Sequence, residues 1–500
     1  MSVTDATALD GALTYAAKRK QILVAGTWRD AHEGATTGTE NPVTGATLAT
    51  LAEAQPADVD DAVRAARAAL TDPAWADLRP GDRAQLLFRL ADAIEARLEE
   101  FAALEAADSG KPFRNARNVD IPQAVDHLRY FAGWVTKIEG STIPSSVGDY
   151  LIYTRREPVG VCGLIVPWNY PLLLTMWKLA PALACGNTVI VKPAEQTSLT
   201  ALRLGELACE LGFPSGVINI LTGRGEVTGA ALARHPGVDK ISFTGSTEVG
   251  KQVAAMGAAN LTRVSLELGG KSPNVVFADA DLKAAAAGAA WGIFYNMGED
   301  CCAGSRLFIQ EQIFDEFLEQ VTDAAQAIRV GHPFDTESQL GPLVSSEHWA
   351  RVARYVDSAA TDGARLITGG GRPAPLSGEA GYYFAPTILT DATPDARIVR
   401  EEVFGPVVVA TPFTGDEHAL ELANDTMYGL AAGVWTQNLG RAHRFARGVK
   451  AGTVWLNDFG PADAAAPFGG FKQSGYGREH GAEALNLFLE TKSVWVNLSS

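Results

Sequence analysis

The sequence predicts an α/β protein built around a parallel sheet, and three observations carry this prediction. Between Gly163 and Ala280, short β-rich runs alternate with helical runs, an order typical of parallel sheets. Gly, Pro, Ser and Thr fill the turns after those strands, where open α/β sheets bind their ligands. Of the 500 residues, 47% are hydrophobic and 20% are charged, which is ordinary for a protein with a sizeable core. A nucleotide is therefore the ligand expected at this edge of the sheet.

The predicted elements follow one another along the chain. Strands are expected at 163–169, 187–194, 216–223, 239–246, 263–270 and 274–280, with helices between them at 171–184, 198–211, 226–235 and 247–259. Upstream, 59–70 and 81–110 have apolar residues at helical spacing, which predicts a helical layer. Downstream, an Ala-rich helix at 281–297 leads into the loop 298–306. Strands and helices then alternate from 307 to 458, which predicts a second α/β domain.

The last segment, 484–500, ends in an alternating β-like run with no evident partner nearby in the sequence. An unpaired strand at a sheet edge offers free backbone groups to another chain. We therefore expect an edge strand here that is available for pairing with a second copy of the protein.

Charge and composition argue against several classes of partner. The 42 basic and 58 acidic residues give a formal net charge of −16, whereas nucleic acid binding needs a basic face. The most apolar stretch, Leu164–Leu174, is short and is broken by Pro167 and Pro171, so no membrane span is expected. The first residues lack the features of a secretory signal, and the five cysteines form no regular framework. We expect a cytoplasmic protein with reduced thiols and no nucleic acid or membrane partner.

Two glycine motifs fall short of the known phosphate-binding patterns. Residues 223–229 read GxGxxxG, one residue longer than the dinucleotide fingerprint, and Gln252 stands where a P-loop needs Ser or Thr. A P-loop ATPase is therefore disfavoured. What remains is a strand, a glycine turn and a helix start at Gly245 and Ser246, whose free N–H groups suit a phosphate. An ordinary strand-to-helix turn is the alternative.

Lys192 and Glu195 follow the next predicted strand in the motif KPAE. A lysine and a glutamate at a strand's carboxyl end can bind the two hydroxyls of a ribose, and the carboxylate would repel a 2′-phosphate. This pattern favours NAD over NADP. The alternative is a solvated charged turn.

Cys301 and Cys302 lie in a Gly-flanked loop after the Ala-rich helix, where a thiol is either a buried filler or a nucleophile. A zinc site is disfavoured, because no second Cys or His pair has ligand spacing, and we predict no metal ligand. A Cys-His hydrolase stays open, although no histidine has a comparable Gly-rich context at a strand end.

Two polar residues are candidates for supporting chemistry. Glu267 stands between Leu266 and Leu268, and apolar surroundings would raise the pKa of its carboxyl toward the range of a general base. A salt-bridged structural glutamate is the alternative. Asn169, in VPWNYP, has an amide that suits an oxyanion, or else it caps the helix that begins near Pro171.

Together these segments resemble the aldehyde dehydrogenase superfamily, in particular its betaine aldehyde, aminoaldehyde and broad-substrate members. The resemblance covers nearly the whole chain. The motifs that carry it occur in the family's order and approximate spacing, and they are VPWNYP, KPAEQTSL, FTGSTEVGK, LELGGKSPNVV, CCAGSR, EEVFGPVV and PFGGFKQSGYGRE.

The resemblance implies a role for each candidate residue. Cys301, two residues before the Ala of AGSR, is then the nucleophile and Cys302 a bystander. Glu267 activates water, and Asn169 and the Cys301 N–H bind the oxyanion. The other implied catalytic residues, for proton relay, are Lys178 and Glu479. The implied NAD-binding residues are Trp168, Lys192, Glu195, Gly225, Phe243, Gly245, Ser246, Glu402 and Phe404.

The implied reaction is NAD-dependent oxidation of an aldehyde to a carboxylic acid. Thiolate attack gives a hemithioacetal, hydride transfer leaves a thioester, and water activated by Glu267 releases the acid. Glu267 favours hydrolysis over transfer to coenzyme A. A CoA-acylating dehydrogenase, an acyl transferase and an inactive binding protein are the other classes considered.

One departure from the family pattern bears on the substrate. Family members commonly carry Gln two residues before the nucleophile, whereas this chain reads Glu299-Asp300-Cys301. Two carboxylates would raise the pKa of the thiol unless they pair or point away. An acidic mouth would attract a cationic aldehyde, such as betaine aldehyde or an ω-aminoaldehyde. Aromatic or aliphatic aldehydes are the alternative. The predicted pocket residues are Tyr170, Trp177, Asp300, Trp455 and Phe459.

The resemblance also implies three structural parts. A Rossmann-like NAD-binding domain is expected at 1–133 and 157–265, and an α/β catalytic domain at 266–477. An oligomerisation element at 134–156 and 478–500 would join a hairpin to the C-terminal strand. A homodimer or homotetramer is expected.

Overall fold

The computed structural model describes residues 6–499. The helices that it contains are α1 (Ala6–Ala16), α2 (Pro56–Thr71), α3 (Pro73–Ala76), α4 (Pro80–Glu95), α5 (Leu98–Ser109), α6 (Phe113–Asn115), α7 (Ile121–Ala132), α8 (Pro171–Ala184), α9 (Leu199–Glu210), α10 (Ala230–Arg234), α11 (Thr247–Ala258), α12 (Leu282–Phe294), α13 (Phe314–Gln326), α14 (Ser346–Thr361), α15 (Arg397–Arg400), α16 (Asp416–Asn424) and α17 (Leu439–Gly448).

The strands form four sheets. They are β1 (Ile22–Val24), β2 (Thr27–Arg29), β3 (Thr36–Glu40), β4 (Thr47–Ala52), β5 (Thr142–Ile143), β6 (Tyr150–Pro158), β7 (Val161–Ile165), β8 (Thr188–Lys192), β9 (Ile218–Ile220), β10 (Lys240–Thr244), β11 (Arg263–Glu267), β12 (Pro273–Val276), β13 (Arg306–Gln310), β14 (Arg365–Thr368), β15 (Thr387–Thr390), β16 (Val407–Phe413), β17 (Ala431–Trp435), β18 (Thr453–Leu456), β19 (Gly475–Tyr476) and β20 (Leu489–Asn497).

The first sheet has eight strands in the order β19-β11-β10-β7-β8-β9-β1-β2. Its five central strands are parallel, as the alternation of strands and helices predicts. The chain runs outward from β7 through β8 to β9 and then returns to place β10 on the other side of β7. The strand order therefore reverses between β7 and β10, and a ligand-binding crevice is expected at the carboxyl ends of these two strands.

The second sheet has seven strands in the order β14-β15-β16-β13-β12-β17-β18, mostly parallel. This confirms a second α/β layer. One detail differs from the sequence prediction, because β12 pairs with β13 and β17 here rather than continuing the first sheet. The chain crosses between the sheets through residues 268–272, whose Gly269 and Gly270 have no side chain that would obstruct the crossing.

The third sheet gives the C-terminal strand the partner that was not evident in the sequence. β20 pairs antiparallel with β6 from Leu489↔Pro158 to Asn497↔Tyr150, and β5 completes the order β20-β6-β5. β20 thus lies at an edge, as predicted, with one side free. β3 and β4 form a separate two-stranded sheet.

The predicted domain limits stay a prediction, and the strands give them a structural context. The limit at 266 falls inside β11, which belongs to the first sheet up to Glu267. β19, just before the limit at 478, also pairs in the first sheet. Residues 1–5 and 500 of the predicted ranges lie outside the described residues. Within 6–499, no helix has both the length and the apolarity that crossing a membrane requires.

Candidate active site

The first sheet brings two predicted site segments together at its crevice. Asn169 follows β7, and Gly245 and Ser246 follow β10, its neighbour in the sheet. Ser246 is the N-cap of α11 and its hydroxyl accepts a hydrogen bond from Val249 N at 3.3 Å. Gly245 is required here because an added Cβ would come within 2.6 Å of the Phe243 ring.

A strained turn delivers the thiol loop to the same crevice. α12, capped by Asp281, ends at Phe294. Asn296, Met297 and Gly298 then adopt positive φ angles of 50°, 58° and 69°. Left-handed backbone is unfavourable for ordinary residues, so the surroundings hold this turn in place. The turn reverses the chain toward Cys301.

Asn169 and the thiol loop are joined by hydrogen bonds. Asn169 Nδ2 donates to the Glu299 carbonyl at 3.0 Å, and Asn296 Nδ2 donates to the Asn169 carbonyl at 3.1 Å. The N-cap of α8 is Tyr170, not Asn169, so helix capping does not explain this asparagine. One amide N–H of Asn169 is used, which leaves the second for a ligand.

The thiols of Cys301 and Cys302 are half-buried, and their sulfurs lie 4.0 Å apart. The hydrogen bond from Cys302 lowers the pKa of Cys301, but burial and the nearby Asp300 carboxylate outweigh it and raise that pKa overall. All five cysteines are free.

The two acidic residues before Cys301 are both engaged by neighbours. Asp300 Oδ2 accepts from the Tyr170 hydroxyl at 2.7 Å, and Oδ1 accepts from Cys302 N at 2.7 Å. Glu299 is buried, and its carboxylate accepts from Val344 N at 3.0 Å. Both carboxylates are thus hydrogen-bonded, but Asp300 still contributes to raising the pKa of the Cys301 thiol.

Glu267 is the last residue of β11, 4% exposed, and neither of its carboxylate oxygens has a hydrogen-bond partner among residues 6–499. Burial and the charge of Glu479 raise the pKa of Glu267 well above its ordinary value. No salt bridge holds this carboxylate within the described chain, contrary to the structural alternative. A buried carboxylate that lacks a hydrogen-bond partner is a candidate for a catalytic role.

Lys178 and Glu479 form a buried ion pair beside Glu267. Lys178 Nζ also donates to Thr244 Oγ1 at 2.6 Å, and Ser242 Oγ donates to Glu479 Oε1 at 3.1 Å. Their predicted roles in proton relay stay predictions. Thr244 pairs with Glu267 across β10 and β11, which places this pair next to the candidate base.

The predicted ribose-binding pair is intact at the carboxyl end of β8. Lys192 Nζ lies 3.0 Å from Glu195 Oε2, with Lys192 buried and Glu195 half-buried. Gly225 begins the turn that leads into α10, and an added Cβ there would meet nothing within 4 Å. The open space at Gly225, the ion pair and the capped α11 fit a dinucleotide.

Glu402 and Phe404 approach the thiol loop from the second sheet. Gly270 N donates to Glu402 Oε1 at 3.0 Å, and burial raises the pKa of Glu402 to about 7. An added Cβ on Gly269 would lie 2.1 Å from Glu402 Oε2, and one on Gly270 would lie 2.4 Å from the Cys301 carbonyl oxygen. These two glycines therefore allow Glu402 and Cys301 to share one site.

Phe404 has a positive φ of 62°, and its ring centroid lies 5.2 Å from that of Trp168. His348 Nε2 lies 2.7 Å from the Phe404 carbonyl oxygen, and its ring centroid is 4.9 Å from that of Trp168. His348, which the sequence analysis missed, therefore helps to hold Trp168 and Phe404 in place.

The predicted pocket aromatics fall into two groups. Tyr170 packs against the first hydrophobic core, which contains Trp177, and Cys301 and Cys302 border the same core. Phe459 lies in a second core, and Trp455 packs against it, with ring centroids 4.9 Å apart. Tyr170 thus packs against apolar core residues, while its hydroxyl donates to Asp300.

Comparison with known proteins decides the family. The sequence profile described as "Aldehyde dehydrogenase family" matches residues 28–494. The chain belongs to the aldehyde dehydrogenase family. The predicted fold is confirmed, and the protein is an aldehyde dehydrogenase enzyme.

Relatives resemble this aldehyde dehydrogenase along its whole length. "Putative aldehyde dehydrogenase DhaS" of Bacillus subtilis is 50% identical over 485 residues, 97% of each chain. The NAD⁺ complex of an aldehyde dehydrogenase from Bacillus cereus has a TM-score of 0.95 at 47% identity, covering 97% of this chain and 98% of that one. A betaine aldehyde dehydrogenase of Staphylococcus aureus, with NAD⁺, has a TM-score of 0.94 at 40% identity and covers 96% of both chains.

Sequence reasoning missed the lysine that binds the Asn169 backbone of this aldehyde dehydrogenase. Lys111 is fully buried and pairs with Asp120 and with Glu105, the latter at 3.2 Å. Its Nζ also donates to the Asn169 carbonyl at 2.9 Å and lies 4.4 Å from the Tyr170 ring centroid. The segment DSGKP contains this lysine, but one lysine in a polar turn gives no periodic signal of burial.

Two buried histidines beside Trp177 were also missed. The ring centroid of His480 lies 4.0 Å from that of Trp177 and 4.4 Å from that of His127. The Nε2 atoms of both histidines and Nε1 of Trp177 have no hydrogen-bond partner in the described chain. Trp177 therefore packs against polar rings as well as Phe468, a contact that no local pattern predicts.

Proposed function

We propose that this aldehyde dehydrogenase oxidises an aldehyde to its carboxylic acid through a covalent intermediate on Cys301. The observation that carries the proposal is the convergence of three groups. They are a half-buried thiol, an asparagine amide hydrogen-bonded to the thiol's own loop, and the unpartnered carboxylate of Glu267. Gly270, three residues after Glu267 in the chain, lies against the thiol loop, since an added Cβ there would come within 2.4 Å of the Cys301 carbonyl oxygen.

The first half of the reaction belongs to Cys301 and Asn169. The thiol loses its proton, and the sulfur bonds to the aldehyde carbon while the carbonyl oxygen gains negative charge. The free N–H of Asn169 and the backbone N–H of Cys301 are the donors proposed for this oxyanion. Because Lys111 and Asn296 hold the Asn169 carbonyl, these donors are placed before the reaction begins.

NAD is the proposed cofactor, and when bound it supplies the hydride acceptor. Lys192 and Glu195 would hold the adenosine ribose, Gly245 and Ser246 the pyrophosphate, and Glu402 the nicotinamide ribose. Trp168, Gly225, Phe243 and Phe404 would line the groove. Glu195 lies where a 2′-phosphate would be repelled, which supports NAD over NADP.

The second half belongs to Glu267. A general base must bind a proton near neutral pH, and burial beside Glu479 raises the pKa of Glu267 in that direction. Glu267 would take a proton from water. The hydroxide oxygen would then bond to the thioester carbon, and the carbon–sulfur bond would break. The products are the acid and free Cys301.

The test is an initial-rate assay of NADH formation across betaine aldehyde, 4-aminobutyraldehyde, phenylacetaldehyde and hexanal. We expect turnover with NAD⁺, slower turnover with NADP⁺ and none with Cys301→Ala. Acid product should match NADH mole for mole. NADH formation by Cys301→Ala at the wild-type rate would refute the proposal. Formation of an acyl-CoA in place of acid when coenzyme A is added would instead favour the CoA-acylating alternative.

For the substrate, the contacts of Asp300 support the alternative of a neutral aromatic or aliphatic aldehyde. Both oxygens of this carboxylate already accept hydrogen bonds, and burial raises its pKa. Lys111 holds a positive charge against the Tyr170 ring, so that ring is a poor site for a second cation. A cationic aldehyde of the kind favoured by the sequence would need a carboxylate oxygen turned toward the substrate, whereas the Tyr170 hydroxyl and Cys302 N hold the two Asp300 oxygens in place.

Asp300→Asn separates the two substrate classes. For a neutral substrate, we expect the ratio of kcat/KM for phenylacetaldehyde to that for betaine aldehyde to change less than about threefold. If Asp300 binds a cationic substrate, kcat/KM for that substrate should fall about tenfold or more in Asp300→Asn, which corresponds to about 1.4 kcal/mol of transition-state binding. Such a selective loss for betaine aldehyde would contradict the neutral assignment.

Self-association through the third sheet is also proposed. β20 leaves one edge unpaired, and exposed apolar side chains, Ile143, Leu151 and Trp495 among them, lie on the strands of this sheet. Exposed apolar patches and free strand edges favour contact with another copy. A homodimer or homotetramer and a cytoplasmic location stay predictions.

A further inference from the structure

Asp300, Cys301 and Cys302 form a cluster of three ligand atoms at the mouth of the site. One carboxylate oxygen and both sulfurs lie within 4.8 Å of one another. Cys301 is a half-buried residue. Spacing rules missed this group because its members are adjacent in the chain rather than arranged as separated pairs.

The geometry of the two sulfurs matches the span of a bound metal ion. They lie 4.0 Å apart. When two zinc–sulfur bonds of about 2.3 Å meet at the tetrahedral angle, the two sulfur atoms are about 3.8 Å apart. The sulfurs of Cys301 and Cys302 therefore need to move little to bind one ion between them. A carboxylate oxygen of Asp300 can serve as third ligand, because each oxygen that accepts one hydrogen bond retains a second lone pair.

We propose that Asp300, Cys301 and Cys302 bind one thiophilic divalent cation, such as Zn²⁺, and that the bound ion reversibly blocks the nucleophile. Two S–H bonds break, two metal–sulfur bonds form, and two protons pass to the buffer. No atom changes oxidation state. Two thiolates and one carboxylate suit Zn²⁺ or Cd²⁺, whereas Mg²⁺ prefers oxygen ligands alone.

Binding of the ion does not depend on the proposed reaction, but inhibition does, because it requires Cys301 to be the nucleophile. Attack on an aldehyde uses the sulfur lone pair that the metal would occupy. The metal site also needs Asp300 and Cys302, neither of which is the proposed nucleophile. Metal sensitivity should therefore follow these two residues rather than the nucleophile alone.

The binding experiment uses the full-length, chelator-treated, reduced protein and Zn²⁺ alone. We expect one Zn²⁺ per chain at this site by competition with a chromogenic chelator, and sulfur-to-metal charge-transfer absorption when Co²⁺ replaces Zn²⁺. Even outer-shell changes cost about 10- to 100-fold in metal affinity, so Cys302→Ser should weaken binding about tenfold or more. Asp300→Asn should weaken it too.

Cys209→Ser is the matched control, because Cys209 is an exposed thiol on α9 outside the site. It should leave Zn²⁺ affinity and the Co²⁺ spectrum unchanged. Equal affinity of wild type and Cys302→Ser, or loss of the Co²⁺ charge-transfer band in Cys209→Ser, would overturn the site. Far-UV circular dichroism of each variant confirms that it is folded.

Inhibition is measured on the same preparations. Zn²⁺ should stop NADH formation by wild type, and a chelator should restore it. Each variant is compared with its own metal-free rate. On that scale, Cys302→Ser should need about tenfold more Zn²⁺ than wild type for the same fractional inhibition. Tight binding that depends on Cys302 but leaves the rate untouched would overturn the blocking claim. A protein that binds Zn²⁺ as expected but oxidises no aldehyde would instead refute the proposed function.

Discussion

Replacing Glu267 by glutamine is expected to turn steady NADH formation into a single burst. The thiol of Cys301 and the oxyanion donors remain, so the first half of the reaction proceeds once per active site. The thioester then persists, because glutamine cannot take a proton from water. A general base contributes about 10²- to 10⁴-fold, and the steady rate should fall by that factor. Rapid-mixing absorbance gives the burst amplitude, and intact-protein mass spectrometry detects the acyl group.

The pH dependence of the steady rate provides a second readout of Glu267. The base acts when deprotonated, and burial beside Glu479 raises its pKa, so wild-type deacylation should increase as pH rises through that raised pKa. Glu267→Gln should lose this increase. Glu319→Gln, on the exposed face of α13, is the control and should behave as wild type. A variant Glu267→Gln without a burst, yet with a normal steady rate, would contradict the assignment of the base.

Replacing Lys111 by methionine is expected to destabilise the fold by about 3–5 kcal/mol, the cost of leaving buried charges without their partner. The carboxylates of Glu105 and Asp120 would lose their common cation, and the Asn169 carbonyl would lose a donor. The midpoint of thermal unfolding, measured at a fixed scan rate, should fall by several degrees. Activity should fall as well, since Asn169, the proposed oxyanion donor, loses support.

Lys251→Met is the matched control for Lys111→Met. Lys251 is exposed, and its Nζ donates to Gln473 Oε1 at 2.7 Å. For Lys251→Met we expect a change in the free energy of unfolding within about 0.5 kcal/mol. Adding Glu105→Gln and Asp120→Asn to Lys111→Met removes the uncompensated charges and should recover part of the stability. Equal unfolding midpoints for Lys111→Met and wild type would show that the buried charges are not coupled as the distances indicate.

The parts of the fold that could be predicted are those with local signals. β7 and β8 are buried, β-branched runs followed by turn residues, and α11 has a serine at its N-cap. Such patterns identify elements and the edge at which ligands bind. They do not identify strand partners. The alternation of strands and helices alone therefore continued the first sheet through β12, which the domain implied by the resemblance, 266–477, already contained, and it left β20 without a partner.

The residues of the candidate site likewise divide into those that local sequence patterns predict and those that they do not. Cys301 and Glu267 stand in motifs that can be read from the sequence, and the structure brings them to one crevice. The bond from Tyr170 to Asp300 joins residues 130 positions apart, and it is the contact from which we propose a neutral rather than a cationic substrate. Lys111 reaches Asn169 across 58 positions. Long-range contacts of this kind follow from topology, and a residue's type does not reveal them.

The short strand β19 closes the edge of the first sheet beside Glu267. Gly475 pairs with Glu267, and Leu268 N donates to the Ser474 carbonyl at 3.0 Å, so this edge of β11 is covered by a segment that lies 475 − 267 = 208 positions later in the chain. Contacts of such high sequence separation form slowly. During folding, β11 therefore stays the open edge of the first sheet until β19 pairs with it.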